Sequence, residues 1–124
     1  MAGKSVKIPG PDHPITVTAQ PARVVVKAGG HVIADTTRAL NLQEASYPAV
    51  QYIPRDDVDM AQLTPTSHTS HCPYKGDATY FSIAASPRGT NAVWTYEHPH
   101  DAVAEIAGYV AFYPDRVDSI DIQR

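Results

Sequence analysis

The chain has 124 residues, with 10 basic and 13 acidic side chains and a formal net charge of −3. This length indicates one domain that can bury a core without disulfides or metals. Because the charges are nearly balanced and mixed along the chain, we expect neither a nucleic-acid polymer nor a membrane surface as a partner. The single cysteine cannot form an internal disulfide, and no apolar run suits a membrane span or a signal-peptide core, so we expect a cytoplasmic protein.

Frequent prolines and glycines divide the chain into short segments. Eleven prolines and seven glycines exclude long helices from most of it, because proline removes a backbone donor and clashes with the preceding helical turn. We expect residues 1–14 to form an extended N-terminal lead-in and residues 15–124 to form a single β-rich domain.

Short strands are the main predicted elements. The first is at residues 16–19, and two β-branched runs follow at 23–27 and 31–35 around Ala28-Gly29-Gly30. Such a pattern is typical of a hairpin whose turn needs positive φ. Further strands are predicted at residues 49–53, 78–84, 92–97 and 109–113.

Two segments have helical features. Residues 57–63 open with acidic side chains that suit a helix N-terminus, and residues 101–107 place apolar side chains on one face at helical spacing. The sequence therefore predicts a mainly β fold, in which antiparallel strands form two packed or partly rolled sheets with one or two short helices.

The period of two along the predicted strands places aromatic residues on shared faces. The sets that share a face are Val50 with Tyr52, Ala78 with Tyr80 and Ser82, and Ala92 with Trp94 and Tyr96. Tyrosine and tryptophan combine an apolar body with a polar tip, which suits either the edge of a core or a ligand cleft. Both interpretations stay open at this point.

The segment between His68 and Tyr80 has the highest concentration of chemically reactive side chains. His68, His71 and Cys72 can all bind zinc, and His98 and His100 could complete a site. A structural zinc site normally has two spaced pairs of ligands, and the second pair is missing here. We therefore expect neither a metal nor another cofactor.

Cys72 is also a candidate nucleophile, because His71 and Lys75 could lower the pKa of its thiol. Neighbouring residues on a strand point to opposite faces, however, so His71 is poorly placed to act as its base. The alternative is that Cys72 packs as a small buried hydrophobe.

Six ordered motifs carry a resemblance to a known family. They are IPGPDHPI (8–15), DTTRAL (35–40), YIPRDDV (52–58), HTSHCPYKGDA (68–78), AVWTY (92–96) and IAGYVAFY (106–113). Together they resemble the bacterial and fungal family called domain of unknown function 427, which sometimes carries a nucleotidyltransferase label. The resemblance implies a small β-rich domain whose recurring polar positions correspond to Arg38, Glu44, Tyr52, His71, Cys72, Lys75, Trp94 and Tyr96.

The nucleotidyltransferase label gains little from the residues themselves. Such enzymes need paired carboxylates for divalent metal and a glycine-rich or basic element for the triphosphate. Asp57 and Asp59 are the candidate carboxylates, but acids at a helix start are also favoured by the helix dipole alone. No glycine-rich phosphate loop is present in the sequence.

A binding role fits Arg38 and Lys75 better. Arginine can hold a carboxylate or phosphate with two hydrogen bonds, and a lysine before glycine suits a turn that approaches a ligand. With Tyr52, Trp94 and Tyr96 they would form an anion-tolerant aromatic pocket. The alternatives are an internal ion pair between Arg38 and Glu44, and a solvated turn at Lys75.

Three functional classes therefore remain. The favoured one is a module that binds a small anionic or nucleotide-like molecule through Arg38, Tyr52, Lys75, Trp94 and Tyr96. The second is an enzyme acting on such a ligand, with Glu44, His71 and Cys72 as candidate catalytic residues. The third is a protein-interaction domain, which would expose an apolar patch. A homodimer is left open.

Overall fold

The computed structural model describes residues 6–123, and part of the predicted lead-in therefore lies outside the described residues. Ten strands are the main elements of the structure. They are β1 (Ile15–Ala19), β2 (Arg23–Ala28), β3 (His31–Thr36), β4 (Leu40–Glu44), β5 (Val50–Tyr52), β6 (Leu63–Cys72), β7 (Gly76–Ile83), β8 (Val93–Thr95), β9 (Val110–Phe112) and β10 (Ser119–Gln123). No helix among residues 6–123 has the length and apolar character that crossing a membrane requires.

The strands pair in three antiparallel sheets, so the predicted mainly β, antiparallel fold class is confirmed, with three sheets where two were expected. Their orders are β1-β4-β5, β10-β2-β3 and β6-β7-β8-β9. The first and third sheets meet through an isolated bridge between Ile53 and Val110, whose backbone N–O distances are 2.8 and 2.9 Å. Through this bridge the strands follow one another as β1-β4-β5-β9-β8-β7-β6.

The predicted hairpin is confirmed. β2 pairs with β3, and both turn glycines have positive φ, 57° at Gly29 and 78° at Gly30. Glycine adopts this conformation without a steric penalty, whereas other residues do so at a cost.

Three strands were not predicted, for different reasons. The β4 sequence, LNLQE, has no β-branched or aromatic residue, and β6 contains Pro65 and many short polar side chains. The β10 sequence, SIDIQ, does alternate apolar and polar residues, and its isoleucines are less exposed than their neighbours. The period of two could therefore have identified β10.

The two predicted helices are 3-10 turns. Residues 57–63 divide between the turns Arg55–Asp57 and Met60–Gln62 and the start of β6. Asp101–Ile106 is a 3-10 helix interrupted at Val103, where φ is −128°. A fourth turn spans Pro114–Arg116. These segments are short: Pro54 precedes the first turn, and Gly108 lies two residues after the third.

Two hydrophobic clusters lie on opposite faces of the third sheet. Val93, Phe81 and Phe112 belong to the first cluster, which also includes β2 and β3 residues. Tyr80 and Ala111 belong to the second, with a set of residues from β4, β5, β7, the position after β8 and the 3-10 segment Asp101–Ile106: Leu42, Tyr52, Ala78, Tyr96, Val103 and Ile106. The pleat therefore sends alternate side chains into different cores.

The two turn glycines provide a matched test of the packing between the β2–β3 hairpin and the turn after β7. A Cβ at Gly29 would lie 2.1 Å from the carbonyl oxygen of Ala85, whereas a Cβ at Gly30 meets no atom within 4 Å. We expect Gly30→Ala to lower the free energy of unfolding by about 1–2 kcal/mol through its positive φ alone. Gly29→Ala should lose a further ~1–3 kcal/mol, because backbone must move. Urea denaturation of both variants measures the difference, and equal losses would contradict this packing.

Candidate functional site

Strand register brings aromatic residues of separate strands onto one face. Tyr80 pairs with Trp94 between β7 and β8, and Val50 pairs with Leu42 between β4 and β5. Residues directly opposite each other in an antiparallel pair share a face. The bridge at Ile53 then places the β4–β5 face beside the face that carries Trp94.

This shared face borders a polar cavity of about 290 Å³. Its polar lining groups come from an acid, a base, a serine, the tryptophan and five tyrosines, namely Glu44, Lys75, Ser70, Trp94, Tyr47, Tyr52, Tyr80, Tyr96 and Tyr113. Leu42, Pro48 and Val50 supply the apolar part. Polar groups that converge beside an aromatic wall are typical of a small-molecule site.

An ion pair lies at one end of this cavity. The ammonium group of Lys75 donates a hydrogen bond to Oε1 of Glu44, and both side chains are largely buried, with 13% and 16% of their surface exposed. Nε2 of His13 lies 2.7 Å from the other oxygen, Oε2. The His13 ring stacks on Tyr74, with ring centroids 4.1 Å apart, which holds it against the β6–β7 turn.

These contacts determine the protonation of Glu44. Burial by itself would raise the pKa of this carboxyl group, but the hydrogen bonds and charges of Lys75 and His13 outweigh burial, so the pKa lies below its usual value. Glu44 is therefore ionised at neutral pH and accepts hydrogen bonds from both partners.

The phenol groups form a second polar cluster. The hydroxyl groups of Ser70 and Tyr80 are 2.8 Å apart, and those of Tyr80 and Tyr113 are 3.5 Å apart. Nε1 of Trp94 donates to the hydroxyl oxygen of Tyr52 at 3.2 Å. Trp94 also packs against Tyr113, with ring centroids 4.5 Å apart.

Burial keeps Tyr52, Tyr96 and Tyr113 neutral. It raises the pKa of Tyr52 and Tyr96 well above the ordinary tyrosine range. Burial, together with the hydroxyl of Tyr80, raises the pKa of Tyr113 to about 12. All three keep their O–H hydrogens at neutral pH and can donate to a ligand.

The structure brings together five of the eight residues selected from the sequence. Glu44, Tyr52, Lys75, Trp94 and Tyr96 all line the polar cavity.

Arg38 lies elsewhere. It is 59% exposed and makes a two-point contact with Asp57, through N–O distances of 3.2 and 3.3 Å. The alternative of an internal ion pair holds for Arg38, but the expected partner Glu44 was wrong, since Glu44 pairs with Lys75. Asp57, three residues after Pro54, gave no sequence signal for this pairing.

His71 and Cys72 also lie outside the polar cavity. Nδ1 of His71 is 2.7 Å from Asp77, and both line a separate cavity with His98 and His100. Cys72 is a half-buried free thiol that packs against the second cluster. Within residues 6–123, no group of three or more histidine, cysteine or acidic side chains is arranged to hold a metal ion.

Five further polar residues of the site were not selected: His13, Tyr47, Ser70, Tyr80 and Tyr113. Tyr80 had a usable signal, because the period of two places it on the face of Ala78 and the register places it opposite Trp94. His13 had none, because its contact with Glu44 joins residues 31 positions apart.

The carboxylates considered for nucleotidyl transfer are engaged in other contacts. Asp57 accepts from the hydroxyl of Thr36 at 2.7 Å as well as from Arg38, and Asp59 accepts from Gln62 at 2.8 Å. The Asp57–Thr36 bond joins the first 3-10 turn to β3, and the Asp59 bond lies within the second turn, so both carboxylates have structural roles.

A second cavity of about 610 Å³ lies beside the polar one. Five residues line both: Tyr47, Pro48, Val50, Trp94 and Tyr113. The rest of its lining is mainly apolar and includes Val26, Ala49, Ile53, Phe112, Ile120 and Ile122.

The Glu44 contacts generate a pH-dependent prediction. Glu44→Gln should lower the free energy of unfolding at pH 7 by about 1–3 kcal/mol, because it leaves the largely buried ammonium of Lys75 without a charged partner. Folding lowers the pKa of Glu44. The stability that its ionised carboxylate contributes is therefore fully present above the usual glutamate pKa of about 4.3, and it is lost as the pH falls through the folded-state pKa. The difference between wild type and variant should therefore shrink at acidic pH.

Urea denaturation of both proteins between about pH 7 and pH 3 measures this effect. Asp35→Asn serves as the control, because the Arg23–Asp35 pair is exposed on both sides (51% and 43%) and should contribute less. A stability difference for Glu44→Gln that is independent of pH, or no larger than that of the control, would contradict the assignment.

Comparison with known proteins identifies the family. A family model described as a domain of unknown function (DUF427), with the short label NTP_transf_9, matches residues 16–123. A search of curated proteins finds no match. Because the match covers nearly the whole chain, the resemblance seen in the sequence motifs is confirmed: the chain belongs to the DUF427 family.

Proposed function

We propose that this domain binds a small molecule with a single oxyanion head group, such as a carboxylate, in the polar cavity. One observation carries the proposal. The ammonium of Lys75 and the hydroxyl groups of Ser70, Tyr80 and Tyr113 border one cavity of about 290 Å³. Ammonium and neutral hydroxyl groups are hydrogen-bond donors that suit an oxyanion.

The charged residues of the polar cavity limit how many negative charges its ligand can carry. Among the described residues that line the polar cavity, Lys75 is the one lysine or arginine, and Glu44 balances it. A triphosphate would need several cations or a glycine-rich loop of backbone donors. A ligand with one negative charge fits this balance better than a nucleotide triphosphate.

Binding is better supported than catalysis. Glu44 has a lowered pKa and already accepts hydrogen bonds from Lys75 and His13. A general base works best with a pKa near the working pH, so this carboxylate is a weak candidate. His71 and Cys72 do not line the cavity.

Two further expectations remain proposals. A cytoplasmic location is supported by the single cysteine, which is a free thiol. The homodimer left open by the sequence is tested by the mass of the purified protein in solution.

Ligand binding can be tested with a panel of small monocarboxylates and the corresponding neutral amides. A ligand that binds only the folded state at a hundred times its Kd adds about 2.7 kcal/mol of stability, so we expect an upward shift of Tm with the carboxylates. Trp94 is the only tryptophan and lines the cavity, so its fluorescence reports the same event.

Three variants locate the binding. Lys75→Met should weaken carboxylate binding about ten- to a hundredfold, because a charge-assisted hydrogen bond contributes roughly 1.5–3 kcal/mol. Tyr80→Phe removes one donor and should weaken binding less. Arg38→Met, which changes a cation outside the cavity, should bind as wild type does. If Arg38→Met lost binding and Lys75→Met kept it, the assignment of the binding site to the polar cavity would be wrong.

A further inference from the structure

The polar cavity is small for a complete ligand. Its volume of about 290 Å³ falls at the lower limit of ordinary ligand pockets, which occupy about 300–1,000 Å³. The neighbouring cavity of about 610 Å³ shares Trp94, Tyr113 and Val50 with it. The two volumes are therefore side by side along one aromatic wall.

The second cavity has a different chemistry. None of its fifteen lining residues is charged. Its three amide side chains bond to one another, with Gln51 donating to Asn41 at 2.6 Å and Gln20 donating to Gln51 at 3.4 Å. Most of the remaining wall is aliphatic or aromatic, so water gains few partners there and an apolar group is favoured.

Tyr47 gives an independent indication that something covers this region. It lines both cavities, yet 60% of its surface is exposed, which is unusual among the large apolar side chains of the described chain. Its backbone is fixed, because its amide donates to the carbonyl of Glu44 at 2.9 Å and its carbonyl accepts from Gln43 at 2.6 Å. A ligand lying across both cavities would cover the Tyr47 ring.

We propose that the ligand is an amphiphile, with its oxyanion head in the polar cavity and a hydrocarbon chain or ring in the apolar cavity. This inference rests on the proposed function and adds the second half of the ligand. Trp94 and Tyr113 contact both halves, because they belong to both linings. The head fixes orientation through Lys75, and the apolar body supplies most of the affinity.

A series of straight-chain monocarboxylates tests the inference, with Trp94 fluorescence as the readout. Burial of one methylene contributes about 0.8 kcal/mol, so Kd should fall roughly three- to fourfold for each added methylene until the apolar cavity is filled. Primary alcohols of the same chain lengths form the matched series without the charged head.

One variant separates the two cavities. Ala49 is exposed and lines only the apolar cavity, so Ala49→Phe fills space there without entering the core. We expect short carboxylates to bind this variant as they bind wild type, while long ones lose the gain per methylene. Ala104→Phe, at an exposed position outside both cavities, is the control and should retain the full dependence.

The outcomes distinguish the two proposals. The proposal that the ligand is an amphiphile is overturned if Kd is independent of chain length, or if Ala49→Phe leaves the dependence of Kd on chain length unchanged. Either result leaves head-group binding intact. Alcohols that bind as tightly as carboxylates of equal length overturn the oxyanion head of the proposed function. No binding by any carboxylate overturns both.

Discussion

The contact between Glu44 and Lys75 is the constraint on which the site depends. Glu44 ends β4, and Lys75 lies in the turn between β6 and β7, so the pair joins strands that are separated in the order β1-β4-β5-β9-β8-β7-β6. Gly76, which follows Lys75, adopts φ of 113°, a conformation that an L side chain rarely adopts, so this turn favours glycine. Both charged residues line the polar cavity.

Stability alone does not explain this pair. Removing two charges from water is costly, and an apolar pair of similar volume is often equally stabilising. His13 adds a further partner and Tyr74 supports its ring, so the ions are well satisfied but still expensive to bury. The place of this pair in the lining of the polar cavity is what the proposed binding of an oxyanion would require.

The sequence predicted the elements whose causes are local. The β2–β3 hairpin follows from two glycines between β-branched runs, and the aromatic face at Tyr52 and Trp94 follows from the period of two. β4 escaped prediction because LNLQE has little intrinsic preference for a strand, and it becomes one by pairing with β1 and β5. Non-local pairing likewise determined the partner of Glu44, since no spacing rule relates residue 44 to residue 75 or 13.

β8 places Trp94 in the wall of the polar cavity. Val93 and Thr95 are fully buried in the protein interior, and the Thr95 hydroxyl donates to the carbonyl of Tyr109 at 2.7 Å. The pleat then projects Trp94 from the opposite face with its backbone fixed on both sides. The outer wall, by contrast, is the exposed connection that carries Tyr47. In the proposed complex, the rigid aromatic wall would fix the orientation of the head group, and the exposed segment opposite it would adjust to ligands of different length.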